Sequence, residues 1–173
     1  MKRPPDDTIA KLFEQHASAL LLYARQWIGA AAADDVVQRV FVKLLSGGKL
    51  PADPRTWLFR CVRNEAISTW RSDQRRARRE QAIAEDAPPW FVPGLDDPID
   101  AAAAQRALAE LSAEQREIVT LRIWSGLTLA QITEVTGLPT SSVHHQLNQA
   151  LSTMRQRLES LCRSNPPTRE TRS

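Results

Sequence analysis

Apolar residues along this chain recur at helical spacing, and nowhere do they alternate over a strand's length. Between residue 8 and about residue 28, Ile9, Leu12, Phe13, Leu20, Leu21, Ala24 and Trp27 mark one or two amphipathic segments, closed by Gly29. Asp34 to Leu45 is a cleaner helix. Val36, Val37, Val40, Phe41, Leu44 and Leu45 form its apolar face, opposite Asp35, Gln38, Arg39 and Val42. Gly47-Gly48 and Pro51 interrupt the pattern. Asp53-Pro54 opens the next helix, with the carboxylate as N-cap and proline in the first turn, and the helix runs to about Arg76 or beyond.

From about 81 to 100 the periodicity stops. Pro88, Pro89, Pro93, Pro98 and Gly94 among acids predict an extended, mobile linker, within which Trp90-Phe91-Val92 is an apolar cluster in need of a docking place. An alanine-rich helix is expected over Asp100–Leu111. Ser112 and Gln115 make a capping box before a helix carrying Ile118, Val119, Leu121 and Ile123, and Ser125-Gly126 ends it. The tail after Arg163 is expected to be disordered.

Thr128 to Leu158 predicts a helix-turn-helix. Thr128 and Gln131 form a second capping box, and Leu129, Ile132 and Val135 supply the apolar side of a short helix. Gly137 can take the left-handed conformation that ends it, Pro139 blocks continuation, and Thr140 can cap the next helix. There Val143, Leu147, Ala150, Leu151, Met154 and Leu158 repeat at helical spacing. Ser141, His145, Asn148 and Ser152 point away from them, with His144 and Gln149 at the flanks. A small-polar outer face on the longer helix suits insertion into a major groove. An ordinary helical hairpin inside a bundle is the plainer reading of the same pattern.

Charge sharpens the picture. Residues 55–79 hold eight arginines against Glu65 and Asp73, net +6, whereas residues 80–100 hold six acids and no base, net −6. The basic block is interleaved with Trp57, Phe59 and Trp70, a mixture suited to phosphates and unstacked bases. On a wheel of 100° per residue, Arg60, Asn64 and Arg71 fall within roughly 40° of one another with Trp57 beside them. Most remaining positions are apolar, and Glu65 and Asp73 lie elsewhere on the wheel, so the stripe has few carboxylate partners on its own helix. Arginine supplies phosphate contacts, asparagine can bond a base edge, and tryptophan can stack on an unpaired base.

Other chemistries find little support. At 173 residues the chain has room for one medium domain or two small ones. No window approaches the roughly 18 apolar residues of a membrane span, and MKRPPDDT lacks the apolar core of a secretory signal. Cys61 and Cys162 are the only cysteines, which points to a reducing cytoplasm and to core packing for Cys61. Asp34, Asp35 and Gln38 lack the second carboxylate cluster a metal enzyme needs, and the adjacent His144 and His145 diverge on a helix. With no nucleotide-cradling glycine loop or nucleophile motif, no catalytic residue, metal or cofactor is expected.

Three segments carry a family resemblance. ADDVVQRVFVKLL (Ala33–Leu45), WLFRCVRNEAISTWR (Trp57–Arg71) and the stretch Ala107–Leu151 resemble, in order and spacing, segments of the extracytoplasmic-function (ECF) sigma factors of bacterial RNA polymerase. The resemblance implies an all-α chain of two small helical domains, residues 8–80 and 101–163, joined by the acidic linker 81–100 and followed by a tail, 164–173. It implies docking of Asp35, Gln38, Arg39 and Phe41 on the polymerase core. Trp57, Arg60, Arg63, Asn64, Arg71 and Arg75, with the loop Gly47–Arg55, would bind and help melt the −10 element. Ser141, Ser142, His144, His145, Asn148 and Gln149 would read the −35 element, and the acidic linker would thread toward the RNA exit channel. Promoter DNA, polymerase core and an anti-sigma factor or other regulator are the implied partners, without membrane insertion. A stand-alone helix-turn-helix regulator is the alternative, and it must treat the first two matches as accidental.

The chain departs from the family in three places. The recognition stretch Ser141–Gln146 lacks Lys or Arg until Arg155, which leaves Arg116 and Arg122 as alternative phosphate anchors. Arg39 stands where the family usually has glutamate, and Ser46–Thr56 lacks the aromatic often found there.

Overall fold

A computed structural model describes residues 6–47, 49–80 and 107–164. Its elements are α1 (Asp6–Ala24), α2 (Ala30–Ser46), α3 (Pro54–Glu80), α4 (Ala113–Val119) continuing into a π turn (Thr120–Trp124), α5 (Leu129–Thr136) and α6 (Thr140–Ser164). A short helical segment over 107–109 precedes α4. All regular structure among the described residues is helical, as the periodicity predicts. The linker from 81 to 100, the first part of the alanine-rich segment and the tail from 165 lie outside the described residues.

The first unit packs α1, α2 and α3 against one another. Val36, Val37, Val40, Phe41 and Leu44 of α2 are buried, as are Leu58, Phe59, Val62 and Ala66 of α3. Each fully buried side chain of this size contributes about 1.5–3 kcal/mol. Helix α2 starts at Ala30, four residues before the predicted Asp34, because the Ala30–Ala33 run is strongly helix-forming and Gly29 supplies an extended N-cap. Asp53 caps α3 as expected: its Oδ1 accepts from the Thr56 amide at 3.0 Å and its Oδ2 from the Thr56 hydroxyl at 2.7 Å.

Helix α3 is not buried all round beyond its stripe, contrary to the wheel reading. From Trp70 to Arg76 every residue is exposed. A 27-residue helix spans ~40 Å, more than the 17- and 19-residue helices packed beside it can cover.

The second unit contains the helix-turn-helix. Both capping boxes form, at Ser112/Gln115 and Thr128/Gln131. Gly137 ends α5 at φ +76° and its N–H bonds Thr133 O at 2.8 Å. Thr140 does not cap α6. The Pro139 carbonyl accepts from Val143 N at 3.0 Å, which makes Pro139 the cap, while the Thr140 hydroxyl lies 3.4 Å from that of Thr133. Val143, Leu147 and Ala150 are buried, but Leu151 is 37% exposed, because the seven-residue α4 is too short to cover a 25-residue helix.

The two units also pack on each other, through α3 against α5 and α1 against the π turn. The π turn closes with Ser125 N bonded to Thr120 O, and Gly126 follows at φ +60°. This widened turn presents the Ser125 carbonyl to Arg55, whose guanidinium donates to it. A Cβ on Gly126 would sit 3.2 Å from that guanidinium.

Candidate nucleic-acid interface

Helix α3 carries the basic stripe because Leu58, Phe59, Val62 and Ala66 anchor its opposite side in the core. Arg63, Asn64, Ile67, Ser68, Arg71 and Arg75 line a shallow, mostly polar groove of about 320 Å³. Asn64, Arg71 and Arg75 are exposed, Arg60 is half-exposed, and Arg63 is largely covered. Trp57 packs against the core, and Phe59 is fully buried. The aromatic open to solvent on this helix is Trp70, 43% exposed beside Arg71.

The carboxylate partners that α3 lacks along its own stripe come from the second unit. Arg63 forks onto Glu117, Nε to Oε1 at 2.6 Å and Nη2 to Oε2 at 3.3 Å. The Tyr23 hydroxyl donates to the same Oε1 at 2.6 Å. Arg60 Nη1 pairs with Glu134 Oε1 at 3.2 Å, and Gln131 Nε2 donates to Asp53 Oδ2 at 2.8 Å. Burial, then the neighbouring Glu117 charge, push the Tyr23 phenol well above its usual range. Burial alone would depress Arg63, but its bonds and charge attraction to Glu117 outweigh it, so the guanidinium is held more firmly charged.

These partners escape a reading of single helices, since they lie 54 to 94 residues apart. Two signals were present nonetheless. Glu117 is a lone acid beside the apolar Ile118-Val119 pair, and Tyr23 is the chain's single tyrosine, within an apolar run.

A second surface lies on α2. Asp35, Gln38, Arg39, Val42 and Lys43 line one open face, and Val42 is 60% exposed. Phe41 does not share that face. It is buried against Phe13, edge to face with ring centres 5.0 Å apart, because it belongs to the apolar side of α2. Its partner Phe13, on α1, is 45% exposed.

The third surface is the outer face of α6. Ser141, His144, His145, Asn148 and Gln149 are exposed and Ser142 is half-buried. The Asn148 amide lies 3.3 Å from His144 Nδ1, and Gln149 accepts from Gln115 at 3.4 Å. Arg116 and Arg122 are used by the fold itself. Arg116 donates to the carbonyls of Leu108 and Leu111, and Arg122 to that of Leu127. These two arginines thus hold backbone carbonyls rather than standing ready for phosphate.

Among the described residues no helix is long and apolar enough to cross a membrane, and no group of three His, Cys, Asp or Glu is placed to hold a metal. Cys61 is half-buried, and burial pushes its thiol up, which fits a packing residue.

Residues 12–76 match the family model for Sigma-70 region 2, and residues 101–154 that for Sigma-70, region 4. The chain is 30% identical over 161 residues to the ECF RNA polymerase sigma factor SigL of Mycobacterium tuberculosis, covering 87% of this chain and 88% of that protein. It is 26% identical over 126 residues to the ECF RNA polymerase sigma factor RpoE of Cereibacter sphaeroides, covering 73% of this chain and 70% of the relative. The sigma factor RpoE of Bartonella quintana, solved in complex with the anti-sigma factor NepR, shares the fold with a TM-score of 0.71 at 21% identity, over 88% of this chain and 97% of that one. CnrH, solved with the cytosolic domain of CnrY, gives a TM-score of 0.58 at 26% identity, over 92% and 90%. A region 2 unit with an arginine-lined helix, a region 4 helix-turn-helix in the right order, and near full-length similarity to SigL together place the chain in its family: it belongs to the ECF sigma factors, the promoter-specificity subunits of bacterial RNA polymerase.

Proposed function

We propose that the three surfaces divide the work of initiation. The α2 face of Asp35, Gln38 and Arg39 docks on the polymerase core, with Val42 as its apolar contact. The α3 groove takes the displaced strand at the −10 element: Arg60, Arg63, Arg71 and Arg75 hold phosphates, Asn64 bonds a base edge, and Trp70 rather than the core-packed Trp57 offers a stacking surface. The loop Gly47–Arg55 is assigned to the same strand. The α6 face of Ser141, Ser142, His144, His145, Asn148 and Gln149 reads the −35 duplex in the major groove. The units correspond to residues 8–80 and 101–163, and the chain acts in the cytoplasm under control of an anti-sigma partner, a reading supported by the solved complexes of RpoE with the anti-sigma factor NepR and of CnrH with the cytosolic domain of CnrY. No catalytic step is assigned to the chain.

The observation that supports this reading most is the concentration of Asn64, Arg71 and Arg75 on one exposed groove of α3. The test is transcription in vitro with purified polymerase core and a randomised promoter library. Enrichment of a bipartite sequence with two spaced elements is expected. Asp35→Ala with Gln38→Ala should weaken core binding about tenfold, roughly 1.4 kcal/mol, without loss of helicity. Sequence-specific duplex binding without core, and no stimulated transcription with it, would instead support a stand-alone regulator.

A further inference from the structure

Two apolar features of this chain are left over from its three proposed initiation surfaces. One is on α6. Leu147, Leu151, Met154 and Leu158 follow one another at spacings of four, three and four, the repeat with which a helix seats a partner along its length. Leu147 is buried, Met154 and Leu158 are half-buried, and Leu151 is open. Leu151, Met154 and Leu158, with Arg155 and Glu159, line an open groove of about 470 Å³ on the C-terminal half of the helix. The other feature is Trp90-Phe91-Val92, the densest apolar cluster between residues 81 and 100. We propose that the α6 groove is a docking site for Trp90-Phe91-Val92 of the same chain.

The chemistry of the two features matches. Aromatic side chains gain most from leaving water, and a half-covered row of leucine and methionine adapts to their shape. Pro88, Pro89 and Pro93 flank the cluster and carry no N–H, so seating it buries few unbonded backbone donors. Arg155 lies between Leu151 and Leu158 along the helix, exposed and without a carboxylate at ion-pair distance among the described residues. Glu85 and Asp86 on one side of the cluster, and Asp96 and Asp97 on the other, can bring it one. Glu159 repels an acidic flank at the far end of the groove, which leaves Arg155 as the place for that carboxylate. Reach is also satisfied. Glu110 pairs with Arg157 Nε at 2.7 Å, which ties the chain shortly after the linker to the part of α6 that holds the groove. The 14 residues from 93 to 106 lie between the cluster and the described chain. Extended, they reach up to ~50 Å, and still ~30 Å if 100–106 is helical, against ~10 Å of groove between Leu151 and Leu158. Such a tether holds the cluster at roughly millimolar local concentration, so a shallow groove suffices. A second copy of the chain is the poorer occupant. The row from Leu147 to Leu158 is fewer than two heptads, short of the roughly three or four that sustain a pair of helices.

The test uses the full chain with Cys61→Ser and Cys162→Ser, and new thiols in pairs. Phe91→Cys with Leu151→Cys puts one thiol in the cluster and one in the groove. Phe91→Cys with Gln156→Cys keeps nearly the same tether but turns the second thiol about 140° around α6, on an exposed position. Under mild oxidation the groove pair should close into an intramolecular disulfide about tenfold faster than the Gln156 pair, with far-UV dichroism unchanged in the reduced proteins. Equal rates would overturn the proposal. So would faster closure of Ala103→Cys with Leu151→Cys than of the Phe91 pair, which would seat the alanine-rich segment instead. Crosslinks formed mainly between chains would make the occupant a second copy and overturn it too. A second arm leaves the cysteines alone. With tryptophan replaced by 5-fluorotryptophan, the Trp90 fluorine signal is assigned by its loss in Trp90→Phe. Leu151→Ser with Leu158→Ser should move that signal to its position in urea, while those of the core-packed Trp27 and Trp57 stay in place. A Trp90 signal already at the urea position in the unsubstituted chain would overturn the docking.

Discussion

The two faces proposed to meet nucleic acid are built from opposite materials. The α3 face is a row of guanidiniums with one asparagine, and part of it is engaged by the second unit. The α6 face holds serine, histidine, asparagine and glutamine, is open, and has no lysine or arginine over Ser141–Met154. Guanidiniums on phosphates give affinity that falls steeply with salt and carries little sequence information, whereas neutral hydrogen-bonding groups at base edges give the reverse. On the proposed assignment, grip and discrimination therefore fall to different units of one small chain. The seam between the units joins them by letting carboxylates of the discriminating unit stand against the gripping one.

Breaking the seam should have the largest effect on stability. Glu117→Gln leaves Arg63 mostly covered with no opposing charge, and a loss of about 2–4 kcal/mol in urea unfolding is expected, since stripping one partner from a buried pair is costly and Arg63 keeps some solvent contact. A loss within 0.5 kcal/mol, roughly the scatter of surface substitutions, would show that the triad is not a closed contact in solution.

Discrimination is the next test. Asn148→Ala with His145→Ala should lower the preference for the selected −35 duplex over a scrambled one by about 1–3 kcal/mol, with little change in salt dependence. The same measurement on the −10 strand should show the converse. Arg71→Ala and Arg75→Ala should each reduce the slope of log affinity against log salt by roughly 0.7 while leaving base preference nearly intact. A changed slope from α6 and an unchanged one from α3 would reverse the comparison.

The smallest expected effect concerns acid. Bonds from the Thr56 hydroxyl, and then from Gln131 and the backbone against opposing burial, hold the Asp53 carboxyl below its usual value. Its contribution is therefore complete above the ordinary carboxylate pKa near ~3.9 and is lost as pH falls through the lower folded value. Asp53→Asn keeps a capping oxygen but removes this titration, so the fall in stability between about pH 5 and pH 3 should be shallower by a few tenths of a kcal/mol, on the order of one cap's electrostatic share. An identical acid profile in both proteins would separate Asp53 from the seam.

Sequence reading reached the helices because the signals that start and stop them are local. Asp53, Ser112, Thr128 and Gly137 act on groups within a turn or so of themselves, and each does so here. The α3 stripe was visible for the same reason: a helical wheel uses only one helix. Covering was harder to foresee. Leu151 and Trp70 have the right spacing for a core, but the helices beside them are too short to reach. The seam was out of reach, because Tyr23, Arg63 and Glu117 meet only after two units fold and dock. The π turn likewise follows from no spacing rule; its role is visible only in the carbonyl it gives to Arg55.

The most direct measurement is permanganate footprinting of open complexes formed with core polymerase on a promoter drawn from the library. Wild-type chain should make thymines of the −10 element reactive, and Arg60→Ala with Asn64→Ala and Arg71→Ala should abolish that reactivity while core binding persists. Normal thymine reactivity with all three replaced would contradict the assignment of α3 to the melted strand.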